Sequence, residues 1–205
     1  LAWRWLAWLQ CVAAKFELTR NMMLVMPASS PASTAFTSLR KRCFDPVVDA
    51  RTRLLVLGSL PGDKSLAAQE YYGNRQNKFW ELLGQVIDAD LRAMAYETRL
   101  GTLLEHGIGL WDVVADAHRQ GSLDSQIRQR NDNDLRGMLE RFPNIKAIAF
   151  NGGTAGKLGV KVLGMRADLY QVLTLPSSSP AYTMPYADKV NHWLALQPVL
   201  QQTKS

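Results

Sequence analysis

The sequence predicts an α/β fold: a three-layer α/β/α arrangement around a four-stranded parallel sheet. Three observations carry this. Four short apolar runs recur along the chain. Their apolar residues are continuous rather than alternating, which suits strands buried on both faces. Segments with apolar residues at helical spacing stand between them.

The elements follow in order. Residues 53–58, RLLVLG, form the first strand, which Gly58, Pro61 and Gly62 break. Phe79, Trp80, Leu82, Leu83 and Val86 fall on one helical face, so 77–87 reads as a helix. Residues 107–114, GIGLWDVV, form the second strand. A helix begins at Asn133, spaced by Leu135, Met138, Leu139 and Phe142, and Pro143 ends it. Residues 145–150, IKAIAF, are the third strand, after which Asn151-Gly152-Gly153 turns into a helix. Residues 170–175, YQVLTL, are the fourth, ended by Pro176. Residues 187–197 form a last helix with Val190, Trp193 and Leu194 inward.

A parallel sheet binds its ligand beyond the carboxyl ends of its strands. The loops 58–78, 112–124, 151–154 and 175–186 are therefore where chemistry is expected.

A chain of 205 residues suits one compact domain with an extension. Its 47% hydrophobic and 20% charged residues exclude a disordered, collagen-like or coiled-coil chain. Two cysteines, Cys11 and Cys43, exclude a disulfide framework, a four-thiolate zinc site and an all-cysteine iron–sulfur cluster. A reducing, cytoplasmic setting is expected, with no cofactor and no metal. The net charge of +6 favours a polyanionic partner.

Residues 1–49 read as an N-terminal extension and linker, poorly ordered, ahead of a domain over 50–205. Residues 1–14 are apolar apart from Arg4 and Gln10, a run too short to span a membrane. An over-extended reading frame, with the start at Met22, Met23 or Met26, is the expectation. A genuine loose extension and a targeting segment are the alternatives. Residues 27–39, rich in Pro, Ser, Ala and Thr, read as linker. Arg40, Lys41 and Arg42 are either a solvated charge cluster or a phosphate-contacting arm.

Several motifs fail on inspection. Asn151-Gly-Gly-Thr-Ala-Gly-Lys157 misses a phosphate loop at its first Gly and at its final Ser or Thr. No G-x-G-x-x-G follows the first strand. His106, His118 and His192 lack metal-ligand spacing, and Ser59 lies in G-S-L-P-G rather than in a nucleophile elbow.

The remaining loops carry a signal. They read Gly58-Ser-Leu-Pro-Gly62, then Tyr71-Tyr72 followed by Asn77-Lys-Phe79-Trp80. Leu110-Trp111-Asp112 comes next, and last Pro176-Ser177-Ser178-Ser179-Pro-Ala181. Together these resemble the uracil-DNA glycosylase superfamily, most closely its hypoxanthine-DNA glycosylase branch, over about residues 52–200. The resemblance implies a four-stranded parallel sheet between helices. It also implies a monofunctional DNA-repair glycosylase acting on DNA with a deaminated base; a monomer is expected. Two positions depart from the classical uracil enzymes. Leu60 stands where they carry Asp or Asn, and Leu175 where they carry His or Asn.

Glycosidic cleavage passes through an oxocarbenium-like sugar and a departing base, so the nucleotide must leave the stack. Asn77 resembles the Asn of the family's N-x-F-W segment, where its amide donates to the base or positions water; a helix cap is the alternative. Asp112, if ionised, accepts from hypoxanthine N1–H and repels the N1 lone pair of adenine; a loop-stabilising Asp is the alternative. Uracil presents the same donor–acceptor pair as hypoxanthine. Ser59, Tyr72, Phe79 and Asn151 are candidate base-binding residues. Tyr72 and Phe79 would act by stacking, with core packing the other reading of Phe79. Ser177, Ser178 and Ser179 would hold phosphate, or form a plain turn. Tyr182 or Met184 would wedge into the gap left in the DNA. Excision of hypoxanthine is expected first, uracil second, and a non-catalytic DNA- or nucleotide-binding module is the reading from another class.

Overall fold

The computed structural model describes residues 40–201. The apolar run over 1–14, the candidate starts at Met22, Met23 and Met26, and the linker over 27–39 lie outside the described residues.

The described chain runs through β1 (Arg40–Arg42), β2 (Leu54–Gly58), α1 (Asp63–Ala68), α2 (Phe79–Ile87) and α3 (Tyr96–Glu105). It continues with β3 (Ile108–Asp112), β4 (Val114–His118), β5 (Arg128–Asp132), α4 (Leu135–Arg141) and β6 (Ala147–Asn151). The last elements are α5 (Gly153–Leu163), β7 (Gln171–Leu175), α6 (Tyr186–Trp193) and α7 (Leu196–Gln201).

The main sheet has the order β3-β2-β6-β7 and every neighbouring pair is parallel. All five residues of β2 are buried, which is why its sequence shows no polar alternation. Successive side chains still point to opposite faces. Leu54 and Val56 join Phe79, Trp80, Leu83 and Trp193 on one side of the sheet. Leu55 and Leu57 join Met138, Leu139, Phe150 and Leu163 on the other. Helices α2, α6 and α7 cover the first face, and α4 and α5 the second. Each fully buried Leu or Phe contributes about 1.5–3 kcal/mol relative to exposure.

Register then places the functional edge. Gly58 lies opposite Asp112, and Asn151 opposite Leu175. The carboxyl ends of the four strands therefore finish in one row.

A second sheet, β1-β4-β5, is antiparallel. It divides the expected strand 107–114. The backbone N–H of Val113 donates to Gly58 O at 2.9 Å and that of Val114 to Ser59 O at 3.0 Å, and the chain then leaves the parallel sheet as β4. Residues 40–49, assigned by the sequence to the extension, are part of this fold. Arg40, Lys41 and Arg42 form β1 and pair with His118, Ala117 and Asp116. Arg40 is ion-paired to Asp116 and Lys41 to Asp63.

Helix boundaries differ at two further places. The fourth helix begins at Leu135, because Asp134 accepts from the N–H of Gly137 at 2.9 Å and caps it. The helix expected over 187–197 is two helices. Pro198 has no N–H to offer Leu194 O, which instead accepts from Gln197 N at 3.0 Å. Among the described residues no helix is long and apolar enough to cross a membrane.

Candidate active site

A cleft of about 610 Å³ opens along the carboxyl edge of the parallel sheet. Gly58, Asp112 and Asn151, the last residues of three strands, line it, as do Tyr72, Asn77, the three serines and Tyr182. Phe79 and Met184 are not among the lining residues.

Asp112 is 4% exposed. Its Oδ2 has no hydrogen-bond partner among the described residues. Asn133 Nδ2 donates to its backbone carbonyl at 2.8 Å and so fixes its position. Burial pushes the carboxyl up to about 7; the Arg119 charge opposes this and Asp124 adds to it. A buried carboxylate oxygen without a donor costs free energy unless a ligand supplies one.

Tyr72 adopts φ 54°, a left-handed conformation uncommon for a non-glycine residue. Its ring stacks on Phe79, with centroids 3.5 Å apart and planes at 10°. Phe79 is fully buried and meets Trp80 and Trp193 edge-on. The stacking role expected of Phe79 therefore does not hold. Phe79 is core beneath Tyr72, and Tyr72, unlike Phe79, lines the cleft. Burial, with Asp112 adding to it, raises the Tyr72 hydroxyl far above its usual range, so it stays a neutral donor; the Asn151 side chain bonds to it.

Asn77 Oδ1 accepts from the N–H of Phe79 at 3.0 Å, which caps the start of α2. The residue also lines the cleft, and its Nδ2 makes no hydrogen bond among the described residues. The cap and the candidate catalytic position are thus one residue.

Asn151 and Ser178 bond reciprocally. Asn151 Nδ2 donates to Ser178 Oγ at 2.8 Å, and Ser178 N donates to Asn151 Oδ1 at 2.8 Å. Ser178 is fully buried and its carbonyl accepts from Lys78 N. It ties three loops together and does not present its hydroxyl to a phosphate. Ser177 Oγ accepts from Ser179 N and Ser179 Oγ from Ala181 N, so these two shape the turn.

Ser59 Oγ donates to Asp124 Oδ1 at 2.6 Å. Asp124 in turn faces Arg119 at 3.5 Å. Arg119 is buried and donates to the carbonyls of Leu60, at 3.0 Å, and Pro61. Arg119 and Asp124 are supporting residues that the sequence reading did not select. Asp124 follows a Gly-Ser turn in a flagged loop, which is a usable signal; Arg119 has no motif around it. Lys189, also missed, is buried on α6 and donates to Tyr182 O at 2.8 Å and Ser179 O at 3.4 Å. Leu60 and Leu175 are both buried among apolar side chains. Among the described residues no cluster of three or more His, Cys, Asp or Glu is arranged to hold a metal.

The model of one family, described as the uracil DNA glycosylase superfamily, matches residues 44–199. The chain belongs to the uracil DNA glycosylase superfamily. A hypoxanthine DNA glycosylase of Methanosarcina acetivorans is 43% identical over 156 residues, covering 76% of this chain and 97% of its own. One from Methanosarcina barkeri is 37% identical over 155 residues, covering 76% and 96%. The solution NMR structure of a Methanosarcina acetivorans protein assigned to the uracil DNA glycosylases superposes with a TM-score of 0.71. It is 42% identical, and the match covers 80% of this chain and 99% of that one. The superfamily fold accounts for the row of strand ends. The polar groups of this glycosylase-superfamily cleft include Asp112, Asn77 and Tyr72; Leu60, largely buried, adds an apolar stretch to its wall, and Leu175 is packed in the core away from it.

Proposed function

We propose that this chain is a DNA glycosylase that hydrolyses the N-glycosidic bond of deoxyinosine and releases hypoxanthine. The observation that carries the reading is Asp112. It is a buried carboxylate at the cleft, beside an aromatic ring, and one of its oxygens has no hydrogen-bond partner among the described residues. Such an oxygen calls for an N–H donor from a ligand. An extruded hypoxanthine stacks on the open side of Tyr72 and gives N1–H to Asp112. Adenine meets Asp112 lone pair to lone pair and is rejected.

The bond between C1′ and the base nitrogen breaks with its electrons passing to the base. Asn77 Nδ2 donates to the departing base and stabilises the charge that develops there. Water adds to C1′, and its proton leaves with the products. Asn151 holds Tyr72 and the serine loop in place. Gly153 and Thr154, at the start of α5, line the same cleft, and the N–H groups of a helix start suit a DNA phosphate.

Both curated relatives carry hypoxanthine in their names, which supports this base over uracil. Uracil offers the same edge through N3–H and O4, so it is the second reading. The test is a panel of duplexes containing deoxyinosine, deoxyuridine or normal bases, incubated with the protein and cleaved at abasic sites with alkali. Strand scission only at deoxyinosine is the expected result. Scission only at deoxyuridine selects the second reading, and binding without scission at any base makes the chain a non-catalytic module.

A further inference from the structure

Behind the wall of the cleft lies a charged pair that the cleavage chemistry does not use. Arg119 follows β4, is 2% exposed, and is not among the residues that line the cleft. Its Nη1 donates to Leu60 O at 3.0 Å and its Nη2 to Pro61 O. Its Nε has no hydrogen-bond partner among the described residues. Nη1 also lies 3.5 Å from Asp124 Oδ1, the oxygen that accepts from Ser59 Oγ at 2.6 Å. Ser59, Leu60 and Pro61 directly follow Gly58, and Gly58 stands opposite Asp112 in the sheet. The pair is thus fastened to the three residues that continue the strand beside Asp112. A buried cation with an unfilled donor is a costly brace for a loop, because a well-packed apolar side chain avoids the desolvation.

We propose that Arg119 and Asp124 are positioning residues for base recognition, two opposite charges fastened to one loop so that both act on Asp112. The inference rests on the reading that Asp112 meets the extruded base. Burial is the largest influence on the Asp112 carboxyl; the Arg119 charge favours its ionised form and Asp124 disfavours it. Tyr71, Tyr72 and Cys43 also interact with Asp112, but burial raises each above its ordinary value, so all three stay neutral near pH 7. Arg119 in turn interacts with Asp63 as well as with Asp124 and Asp112, and Asp63 is ion-paired to Lys41. Only the ionised carboxylate accepts from N1–H of the base. The balance between Arg119 and Asp124 therefore sets how much of that acceptor is present near neutral pH.

The experiment titrates the Asp112 carboxyl by carbon-13 NMR in protein carrying labelled aspartate, with the signal assigned by its loss in Asp112→Asn. The same preparations give kcat/KM on a deoxyinosine duplex across the same pH range. Arg119→Met removes the positive charge and should move the Asp112 midpoint up by about half a pH unit or more. Asp124→Asn keeps an oxygen for Ser59 but drops the negative charge, and should move the midpoint down by a similar amount. Arg119→Lys restores the charge and should bring the midpoint back toward wild type. The rising limb of kcat/KM should follow each shift.

A simple loop brace predicts a lower melting temperature in either variant and no opposed shifts. Midpoints that stay fixed, or that move the same way in Arg119→Met and Asp124→Asn, would overturn the proposal. So would an excision profile that does not follow the titration. Where Arg119→Met does not fold, Asp124→Asn decides alone, and an unmoved or raised midpoint there overturns the proposal. Opposed midpoint shifts in a protein that excises no deaminated base would sink the glycosylase reading and leave the action of the pair on Asp112 standing.

Discussion

Asp112 Oδ1 lies 2.5 Å from the point a Cβ on Gly58 would occupy, and Tyr72 Oη lies 3.1 Å from the same point. The parallel register puts Gly58 directly opposite Asp112, so the missing side chain is what admits the carboxylate. Neither neighbour can retreat freely. Tyr72 is stacked on Phe79, and Asp112 is sealed and held through Asn133. Gly58→Ala is expected to lower deoxyinosine excision by about tenfold or more. The accompanying loss of stability should be about 1–3 kcal/mol, the usual cost of overpacking. Single-turnover rates and melting curves on one preparation measure both. Unaltered excision would place the base pocket somewhere else.

The acidity of Asp112 sets a pH profile. Its carboxyl is pushed up to about 7 by burial, so it is largely protonated below that pH and ionised above it. Only the ionised form accepts from hypoxanthine N1–H. The value of kcat/KM for deoxyinosine should therefore rise with pH through about 7 and then level off. A profile that is flat across this range, or that falls, contradicts an ionised acceptor.

The same shift affects stability, and the sign is opposite to that of a salt-bridged Asp. The folded value, about 7, is above the ordinary 3.8. Between these two values the folded protein binds more protons than the unfolded chain, so stability falls as pH rises through that window. Asp112→Asn carries no charge to bury and removes this fall. Above pH 7 the variant should be more stable than wild type, by at most a few kcal/mol. Excision should drop by about five- to hundredfold, since an amide donor then faces the N1–H donor. Chemical denaturation at acid and alkaline pH, beside single-turnover excision, checks the pair. A variant that loses stability while excising normally would make Asp112 a structural residue.

The parallel sheet was legible because its strands are buried on both faces and so read as unbroken apolar runs. The second sheet was not. β1 is Arg-Lys-Arg and β5 is Arg-Gln-Arg-Asn-Asp, and mostly exposed strands of this kind are recognisable only by their backbone pairing. The site shows the same division. Asp112 and Asn77 stand at a strand end and a helix start, where spacing reveals them. Arg119 acts on the carbonyls of Leu60 and Pro61, and a bond to backbone leaves no pattern in side chains. The serine loop lines the cleft, but the direction of each hydroxyl was not legible. Ser178 turns inward to Asn151, a choice fixed by tertiary contact alone. Phe79 fitted both a helical face and a stacking role, and burial under Tyr72 decides for the first.

Asn77 combines two roles that one substitution can separate. Its Oδ1 caps α2 through the N–H of Phe79, and its Nδ2, which has no hydrogen-bond partner among the described residues, belongs to a residue that lines the cleft. Asn77→Ala removes both functions; Asn77→Asp keeps the accepting oxygen and removes only the donor. The cap alone predicts a loss of about 0.5–2 kcal/mol in the alanine variant and near-normal stability in the aspartate variant. Catalysis by Nδ2 predicts that both variants lose about a hundredfold or more in single-turnover excision, the scale of deleting one transition-state donor. Leu60 and Leu175 are packed in apolar surroundings and offer no substitute, so the loss should not be recovered by a neighbour. The decisive comparison is the aspartate variant. A stable Asn77→Asp protein that excises deoxyinosine at the wild-type rate would reduce Asn77 to a helix cap. Leaving-group stabilisation would then have to come from the Tyr72 hydroxyl or from Asp112 in its protonated form.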